Sequence, residues 1–268
     1  MTEPLRIVVA GATGWVGRSL VAAIVNAPDL RLVGAVARGA AGRDLGEALG
    51  GAGAGVTVSA TVEEALATPA DVFIDYTKPH VVKGHVLAAL GRGVAAVVGT
   101  SGLNAADYAE IEAAAAARGV GVVAAGNFSL TAALLQHFAL IAARHVPNFE
   151  VIDYAGAKKP DVPSGTATEL AERLGRVQEP ALGVPLDALR GPVATRGAAV
   201  GGVQVHSLRL PGFVLSCEAV FGLAGERLSL RHDAGESAEP YVAGTLLAAR
   251  RAPTVTGLVR GLDTLLFG

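Results

Sequence analysis

The chain has 268 residues, of which 51% are hydrophobic and 17% charged, so it can bury a sizeable core and lacks the composition of a disordered protein. Its formal net charge is −2 and no block of like charges appears, which argues against nucleic acid as a partner. The single cysteine, Cys217, excludes a disulfide framework or a zinc cluster within one chain, and we predict no metal site.

We expect neither a secretory leader nor a membrane anchor. The first residues, MTEPLRIVVAGATG, carry an acid early and glycines soon after, unlike a signal peptide. No window reaches the roughly 18 consecutive apolar residues of a membrane-spanning helix. A single thiol is compatible with a reducing compartment, so the prediction is a cytoplasmic protein without a membrane partner.

Strands and helices alternate from residue 5 to about residue 127. The predicted strands lie in the segments LRIVVA, LRLVGAVA, DVFIDYT, AAVVGT and VGVVAAG. The predicted helices between them lie in GWVGRSLVAAIVN, TVEEALA, HVVKGHVLAALGRG and AADYAEIEAAAAARG. This alternation predicts an α/β fold with a doubly wound parallel sheet, whose loops at the strand carboxyl ends share one edge.

The pattern changes after Asn127 and predicts a second, α+β domain with an open or mixed sheet. A helix is predicted in LTAALLQHFALIAARHV, a strand in FEVIDYAGA and another helix in ATELAERLGRV. The strands GVQVHSLRL, GFVLSCEAVFG and RLSLRHDAG are separated by turn residues, which favours antiparallel pairing. Two helical segments, EPYVAGTLLAARRA and GLVRGLDTLLF, are expected to return to the first domain.

The segment GATGWVG indicates a dinucleotide-binding loop. A strand precedes it and a helix follows, with Gly11 for the tight turn, Gly14 for close approach of a pyrophosphate and Gly17 for helix packing. The phosphates would lie at the helix amino terminus. A plain strand-to-helix turn is the alternative interpretation.

The end of the second strand predicts a preference for NADPH over NADH. An enzyme that prefers NADH usually has an acid there to bind the ribose hydroxyls. This chain has Arg38 instead, and no acid appears before Asp44. An arginine favours a 2′-phosphate, and Arg43 is a second candidate. The alternative is that Arg38 is a solvated loop residue.

Several segments in order now resemble one family. GATGWVG is followed by VFIDYTKP, VVGTSGL, AGNFSL, KPDVPSGTA and LRLPGFVLSCEAVFGLAGERLSLRHDA. Together they resemble the 4-hydroxy-tetrahydrodipicolinate reductases, also called dihydrodipicolinate reductases, over nearly the whole chain. The resemblance implies a Rossmann domain for NAD(P)H and a substrate domain that forms a homotetramer. The implied reaction is hydride transfer to a cyclic imine dicarboxylate on the bacterial route to diaminopimelate and lysine.

The change of pattern along the chain gives the predicted domain limits, and the resemblance implies the site residues. The dinucleotide-binding domain would span 1–127 and 237–268, and the substrate-binding and oligomerisation domain 128–236. The implied cofactor-binding residues, besides Arg38, are Gly11, Ala12, Thr13, Gly14, Trp15, Val16, Gly99, Thr100, Ser101, Ala125, Gly126, Asn127 and Phe128. The implied substrate-binding residues are Ser164, Gly165 and Thr166, with Lys159 beside them.

The local sequence around these substrate residues is consistent with anion binding. Thr166 and Glu169 have the spacing of a capping box, which predicts a helix start. Free N–H groups at such a helix end attract a carboxylate, and Lys159 adds a positive charge.

The chain departs from the family where the family has two adjacent histidines, the first of them the usual proton donor. Ala155 and Gly156 occupy those positions, and none of the six histidines lies in that segment. His80, after a predicted strand, could face the cleft. Two smaller departures are Trp15, where the family often has a basic residue, and the absence of the glycine that often follows NFS.

An iminium substrate already carries its proton on nitrogen and needs no strong general acid. Lys159 is therefore the first candidate for the catalytic group, with Lys158 and Tyr154 as weaker candidates.

Three functional alternatives stay open at this point. The chain could reduce another imine with NADPH, act as an amine dehydrogenase on a ketone and ammonia, or bind nucleotide without turnover. In the leading interpretation its partners are a small anionic imine and further copies of itself, as a tetramer or dimer, because long apolar strands such as FVLSCEAVFG need covering.

Overall fold

The computed structural model describes residues 3–268, which form twelve β-strands and nine α-helices. The strands are β1 (Leu5–Ala10), β2 (Leu30–Val36), β3 (Val58–Ser59), β4 (Val72–Asp75), β5 (Ala95–Val98), β6 (Gly121–Ala124), β7 (Asn148–Ala155), β8 (Ala198–Val200), β9 (Val203–Arg209), β10 (Leu215–Leu223), β11 (Glu226–Ala234) and β12 (Gly257–Arg260). The helices are α1 (Trp15–Asn26), α2 (Leu45–Ala48), α3 (Val62–Ala65), α4 (Pro79–Gly91), α5 (Ala105–Arg118), α6 (Leu130–Ala143), α7 (Gly165–Val177), α8 (Glu239–Arg251) and α9 (Leu262–Phe267). Residues 1 and 2, which the predicted first domain included, lie outside the described residues.

The chain forms two compact units. The first runs to Ser129 and resumes over Ala238–Leu266. Its seven strands pair in parallel in the order β12-β6-β5-β4-β1-β2-β3, which confirms the predicted doubly wound sheet. The central strands β4, β5 and β6 are buried along their whole length, as expected for strands covered on both faces. The strand order reverses beside β1, so the crevice for a ligand opens at the carboxyl ends of β1 and β4.

Helix boundaries in the first unit follow local capping chemistry. In α5, Asn104 and Asp107 form a capping box, and Gly119 ends the helix with φ 64°. Helix α3 also starts with a capping box, formed by Thr61 and Glu64. It is shorter than the segment TVEEALA suggested, because Pro69 follows closely and restricts the residue before it.

The prediction of a second closing helix was wrong for its first part. Residues Gly257–Arg260 form β12, which pairs in parallel with β6 at the edge of the sheet. Gly257 and Gly261 have φ of 81° and 87°, values incompatible with a helix passing through them. Only Leu262–Phe267 is helical.

The second unit, Leu130–Ser237, is built on a mixed sheet of order β11-β10-β7-β9-β8. This confirms the predicted second domain with a mixed sheet. Strand β10 is antiparallel to β11, as expected. The expected antiparallel pairing of β9 with β10 is wrong, because β7 lies between them and pairs antiparallel with β10 and parallel with β9. Helices α6 and α7 pack on one face, around residues such as Val151, Ala219 and Leu170.

Among the described residues, no helix combines the length and the apolar character needed to cross a bilayer.

Candidate active site

The loop after β1 has the geometry of a phosphate-binding turn. Gly11 has φ 79°, and a Cβ there would overlap the carbonyl oxygen of Tyr76. A Cβ at Gly17 would overlap the backbone of Gly11, so α1 packs closely on the turn. Only glycine fits at these two positions.

The amino terminus of α1 is open to an anion. Its N-cap residue is Gly14, no side chain caps the first turn, and that turn carries no acid. The first N–H groups of the helix therefore lack the partners that a capping side chain would supply, and the helix dipole favours negative charge there. Ala12 is buried, and Thr13 is half-buried.

Trp15 begins α1 and is 53% exposed. Its ring packs edge-on against Tyr241 of α8, with centroids 5.7 Å apart. The ring thus stands at the same helix end as the candidate phosphate site, beside half-buried Val16.

After β2, the basic side chain of Arg38 is exposed and the carboxylate of Asp44 is hydrogen-bonded. Arg38 is exposed at the start of a short 3₁₀ turn, Arg38–Ala40. The carboxylate of Asp44 accepts backbone N–H groups from four residues of α2 and the loop after it, which hold its pKa below the ordinary value, chiefly through Ala54. Asp44 is therefore committed to its own loop. Arg43 is exposed and donates to the carbonyl of Glu47.

A fully buried carboxylate, Asp75, organises the loops after β4 and β5. Its Oδ1 accepts the hydroxyls of Thr77 and Thr100, each at 2.7 Å, and the N–H of Thr77 at 3.0 Å. Its Oδ2 lies 2.8 Å from Nδ1 of His85 on α4. Thr100, a predicted cofactor residue, is thus fixed by Asp75.

The other predicted cofactor residues follow β5 and β6 at the same edge. Gly99 packs on the ring of Tyr76 so closely that a Cβ would overlap it, and Ser101 is exposed. After β6, Ala125 and Phe128 are buried, and Oδ1 of buried Asn127 accepts the N–H of Ser129 at 2.8 Å. Half-buried Gly126 lies between Ala125 and Asn127. Since β1, β4, β5 and β6 are neighbours, these loops and the glycine loop share one edge.

In the second unit, the loop from β7 to α7 carries the predicted substrate residues. Ser164 is the N-cap of α7, and its hydroxyl accepts the N–H of Ala167 at 3.3 Å. The predicted capping box at Thr166 and Glu169 was wrong, because the helix already begins at Gly165 and both side chains lie inside it, buried. A helix start is nevertheless present, two residues earlier.

Asp153 lies beneath this helix start and is fully buried. Its Oδ2 accepts the N–H of Ser164 at 2.9 Å, the hydroxyl of Ser207 at 3.1 Å and Nη2 of Arg209 at 2.7 Å. The same Nη2 lies 2.6 Å from the carbonyl oxygen of Asp161.

The two neighbouring lysines differ in environment. Lys159 is half-buried, and its Nζ lies 2.8 Å from Oδ1 of Asp161. Lys158 is exposed. The N–H of Lys159 also donates to the carbonyl of Gly156 at 3.0 Å, which fixes the turn that follows β7.

The structure does not bring Tyr154 together with Ser164. Along β7 the side chains alternate, so Tyr154 faces away from the side on which Asp153 meets the loop. Its hydroxyl donates to Glu218 at 2.9 Å, and Arg231 lies over its ring. Burial and then the neighbouring Glu218 raise the pKa of Tyr154, which makes it a poorer proton source.

The positions that the family fills with histidines are closed here. Ala155 is fully buried, and a Cβ at Gly156 would lie 3.1 Å from the carbonyl oxygen of Phe213. His80 is exposed in the first turn of α4. Buried His232 has Nδ1 2.9 Å from the hydroxyl of Thr131, and burial lowers its pKa.

Sequence reasoning missed three residues that hold these loops: Asp75, Asp153 and Arg209. A signal existed for Asp153, because the apolar positions of β7 alternate through Phe149 and Val151 and the next member is the aspartate. A charge at a core position implies a buried partner. The sequence does not reveal which arginine serves, since Arg209 is 56 residues away.

Family models match both halves of the chain. The model described as dihydrodipicolinate reductase, N-terminus, matches residues 5–128, and the model of the C-terminus matches residues 131–266. A 4-hydroxy-tetrahydrodipicolinate reductase of Desulfitobacterium hafniense strain DCB-2 is 38% identical over 266 residues, covering 98% of this chain and 99% of the relative. The enzyme of that name from Moorella thermoacetica is also 38% identical, covering 99% of each chain.

Solved structures give a consistent picture. A dipicolinate-bound dihydrodipicolinate reductase from Paenisporosarcina sp. TG-14 superposes with a TM-score of 0.79 at 29% identity, covering 98% of this chain and 100% of that one. An amine dehydrogenase from Mycobacterium smegmatis gives a TM-score of 0.57 at 17% identity, with coverage of 97% and 95%. The second likeness shows the fold alone, so it does not favour amine dehydrogenase activity.

Proposed function

Since the chain belongs to the dihydrodipicolinate reductase family, we propose that it uses NADPH to reduce 4-hydroxy-tetrahydrodipicolinate to tetrahydrodipicolinate, on the route to diaminopimelate and lysine. The overall reaction consumes one hydride and one proton and releases one water. Similarity over the full length to reductases of this name carries the assignment. The helix start at Ser164, whose first turn carries no acid, and the positive charge of Lys159 support an anionic substrate.

The residues of the first unit fit a nicotinamide dinucleotide. The uncapped start of α1 and the glycines at 11 and 17 form a cradle that a Cβ would fill. We assign the pyrophosphate to the loop Gly11–Val16 and the nicotinamide half to 99–101 and 125–128. The cofactor, when bound, supplies the hydride. The protein's part is to hold Thr100 and the neighbouring loops in place through Asp75.

In the second unit, we assign the substrate carboxylates to Ser164, Gly165 and Thr166 at the start of α7. The helix dipole and the ammonium of Lys159 both favour negative charge there. Lys159 is the proposed proton source, because Tyr154 points away and the histidine positions are occupied by Ala155 and Gly156. An iminium substrate lowers the demand on that acid.

The adjacent lysines provide a matched test. Lys159→Ala is expected to lower kcat/KM for 4-hydroxy-tetrahydrodipicolinate by roughly 10²–10⁴-fold, the range of a lost general acid. Lys158→Ala, which removes an exposed charge one residue away, is expected to leave it unchanged. Both are measured by NADPH oxidation at 340 nm with freshly generated substrate. Equal effects of the two substitutions would refute the role of Lys159, and an inactive wild type that still binds NADPH would refute the reaction.

The preference for NADPH rests on Arg38 and Asp44. Arg38 is exposed at the end of β2, where a 2′-phosphate would lie, and Asp44 is occupied by its own loop. Arg38→Ala is expected to raise KM for NADPH and leave KM for NADH unchanged, with Arg43→Ala as the comparison. A tenfold preference of the wild type for NADH would contradict the proposal. Because NADPH is maintained in the cytoplasm, we propose that the enzyme works there.

We further propose a homotetramer, with the second unit as the interface. Both helices of that unit cover one face of its sheet, against Val151 and Ala219. Ile152 and Val220 face the opposite way and are half-buried. A second copy would cover this face. Sedimentation velocity is expected to give a mass four times the 26.9 kDa of the chain, and Val220→Arg to lower it. A wild-type monomer would contradict the proposal.

A further inference from the structure

The segment from Asp161 to Ser164 is fastened at both ends to one buried ion pair. Nη2 of Arg209 lies 2.7 Å from Oδ2 of Asp153 and 2.6 Å from the carbonyl oxygen of Asp161. The same Oδ2 accepts the N–H of Ser164. One oxygen and one nitrogen therefore set the place where the loop enters α7.

This ion pair also affects the position of Lys159, the proposed proton source. The carboxylate of Asp161 holds Nζ of Lys159, while the carbonyl of the same residue is held by Arg209. The position of Lys159 thus depends on the pair through a single residue.

The geometry of the Asp153–Arg209 ion pair is not the one expected of a pair that only stabilises the fold. Asp153 is fully buried and the side chain of Arg209 is 14% exposed, so both charges lose much of their hydration. Oδ1 of Asp153 and Nε of Arg209 are buried, and neither receives a hydrogen-bond partner among the described residues. A bidentate pair would have used both atoms. Instead, Oδ2 and Nη2 are shared with the backbone of the loop.

We propose that Asp153 and Arg209 are positioning residues for the substrate: they set the loop 156–164 so that Ser164, Gly165 and Lys159 meet the substrate carboxylates in one arrangement. The inference rests on the proposed function and deepens it. It also assigns the N–H of Ser164 to Asp153, so that group is not available to the substrate.

Two substitutions test the pair. Arg209→Lys keeps the positive charge but lacks the planar fork that spans Asp153 and the carbonyl of Asp161. Asp153→Asn keeps an acceptor for Ser164 but removes the charge that holds Arg209. Arg176→Lys is the control, because Arg176 is exposed near the far end of α7.

Three readouts separate positioning from mere folding. Hydrogen exchange of a peptide covering 157–167 reports the loop directly. Calorimetry with pyridine-2,6-dicarboxylate on NADPH-saturated protein reports carboxylate binding. Steady-state kinetics give KM and kcat separately. The affinity for NADPH and the unfolding midpoint are measured as controls.

In both variants we expect faster hydrogen exchange in that peptide and unchanged affinity for NADPH. The dissociation constant for the dicarboxylate and the KM for the substrate are each expected to rise about tenfold or more. The control is expected to match the wild type. Wild-type exchange and dicarboxylate affinity in both variants would overturn the proposal. So would a lowered unfolding midpoint with exchange and KM unchanged, since that is a structural role only. If Arg209→Lys fails to fold, Asp153→Asn decides.

A failure of the proposed function looks different. Wild-type protein would then neither bind the dicarboxylate nor oxidise NADPH with the substrate. The exchange measurement would still show whether the pair holds the loop.

Discussion

Each unit anchors a candidate ligand loop on a fully buried aspartate at or near the carboxyl end of a strand, but the two carboxylates are satisfied in different ways. Asp75 receives the hydroxyls of Thr77 and Thr100, a backbone N–H and a nitrogen of His85, spread over both oxygens. Asp153 receives its hydrogen bonds on Oδ2 alone, and one of them comes from a guanidinium.

The difference suggests two ways to fix a loop over a sheet. Several donors share the hydrogen bonds to Asp75, so loss of one leaves the others in place. Around Asp153 a permanently charged partner dominates, and its removal would leave a buried charge without compensation. Loss of one partner is therefore expected to lower the free energy of unfolding only a little at Asp75 and much more at Asp153.

The largest effect is expected from Arg209→Met. It strands the carboxylate of Asp153 in the core, which typically costs about 3–5 kcal/mol of unfolding free energy. Urea denaturation of the full-length protein measures it. Adding Asp153→Asn to Arg209→Met is expected to recover most of the loss, because no uncompensated charge then remains. If Arg209→Met alone lowers the free energy of unfolding no more than substitution of an exposed residue does, the contrast between Asp75 and Asp153 is wrong.

Asp75→Asn is expected to cost less, about 1–3 kcal/mol, because one acceptor oxygen remains for the threonine donors. The affinity for NADPH should fall with it, since Thr100 loses part of its support, while pyridine-2,6-dicarboxylate binding to the second unit stays unchanged. Urea denaturation and the two titrations check this. A loss as large as that of Arg209→Met would show that both aspartates work alike.

Ser164→Ala is expected to cost about 1 kcal/mol through the lost N-cap, while the backbone N–H of residue 164 still reaches Asp153. The loop should keep its place, so hydrogen exchange over 157–167 should change less than in Arg209→Lys. Exchange as fast as in that variant would mean that the hydroxyl, and not the ion pair, holds the loop.

The smallest effect is expected from Asp29→Asn, which breaks the exposed ion pair with Arg250. Solvent screens such pairs, so the urea midpoint should stay within the error of measurement. This variant is the matched control for Asp75→Asn, since both lie in the first unit. A measurable loss would indicate that exposure is a poor guide to the cost of these substitutions.

The sequence alone predicted the parallel sheet and the glycine turn, because both depend on local signals: apolar runs, and glycines at a strand-to-helix junction. It failed where tertiary pairing overrides local preference. The segment LVR, residues 258–260, was predicted as helical, but its flanking glycines and its pairing with β6 at the edge of the sheet make it a strand. The cap of α7 was placed two residues late, because Thr166 and Glu169 have capping-box spacing, whereas the structure shows Ser164 as the cap. The pair of Asp153 and Arg209 joins strands β7 and β9, which are neighbours in the sheet but far apart in the sequence, and composition does not reveal it.

The discontinuity of the first unit has a consequence for synthesis. Strand β6 is made before the whole second unit, yet its neighbour β12 is synthesised only after residue 256. Throughout translation of the inserted unit, the nascent first sheet carries an unpaired hydrophobic edge of the kind that invites wrong strand pairing. A released chain that ends near residue 250 should therefore contain every strand of the second unit but leave the edge of β6 unpaired in the first.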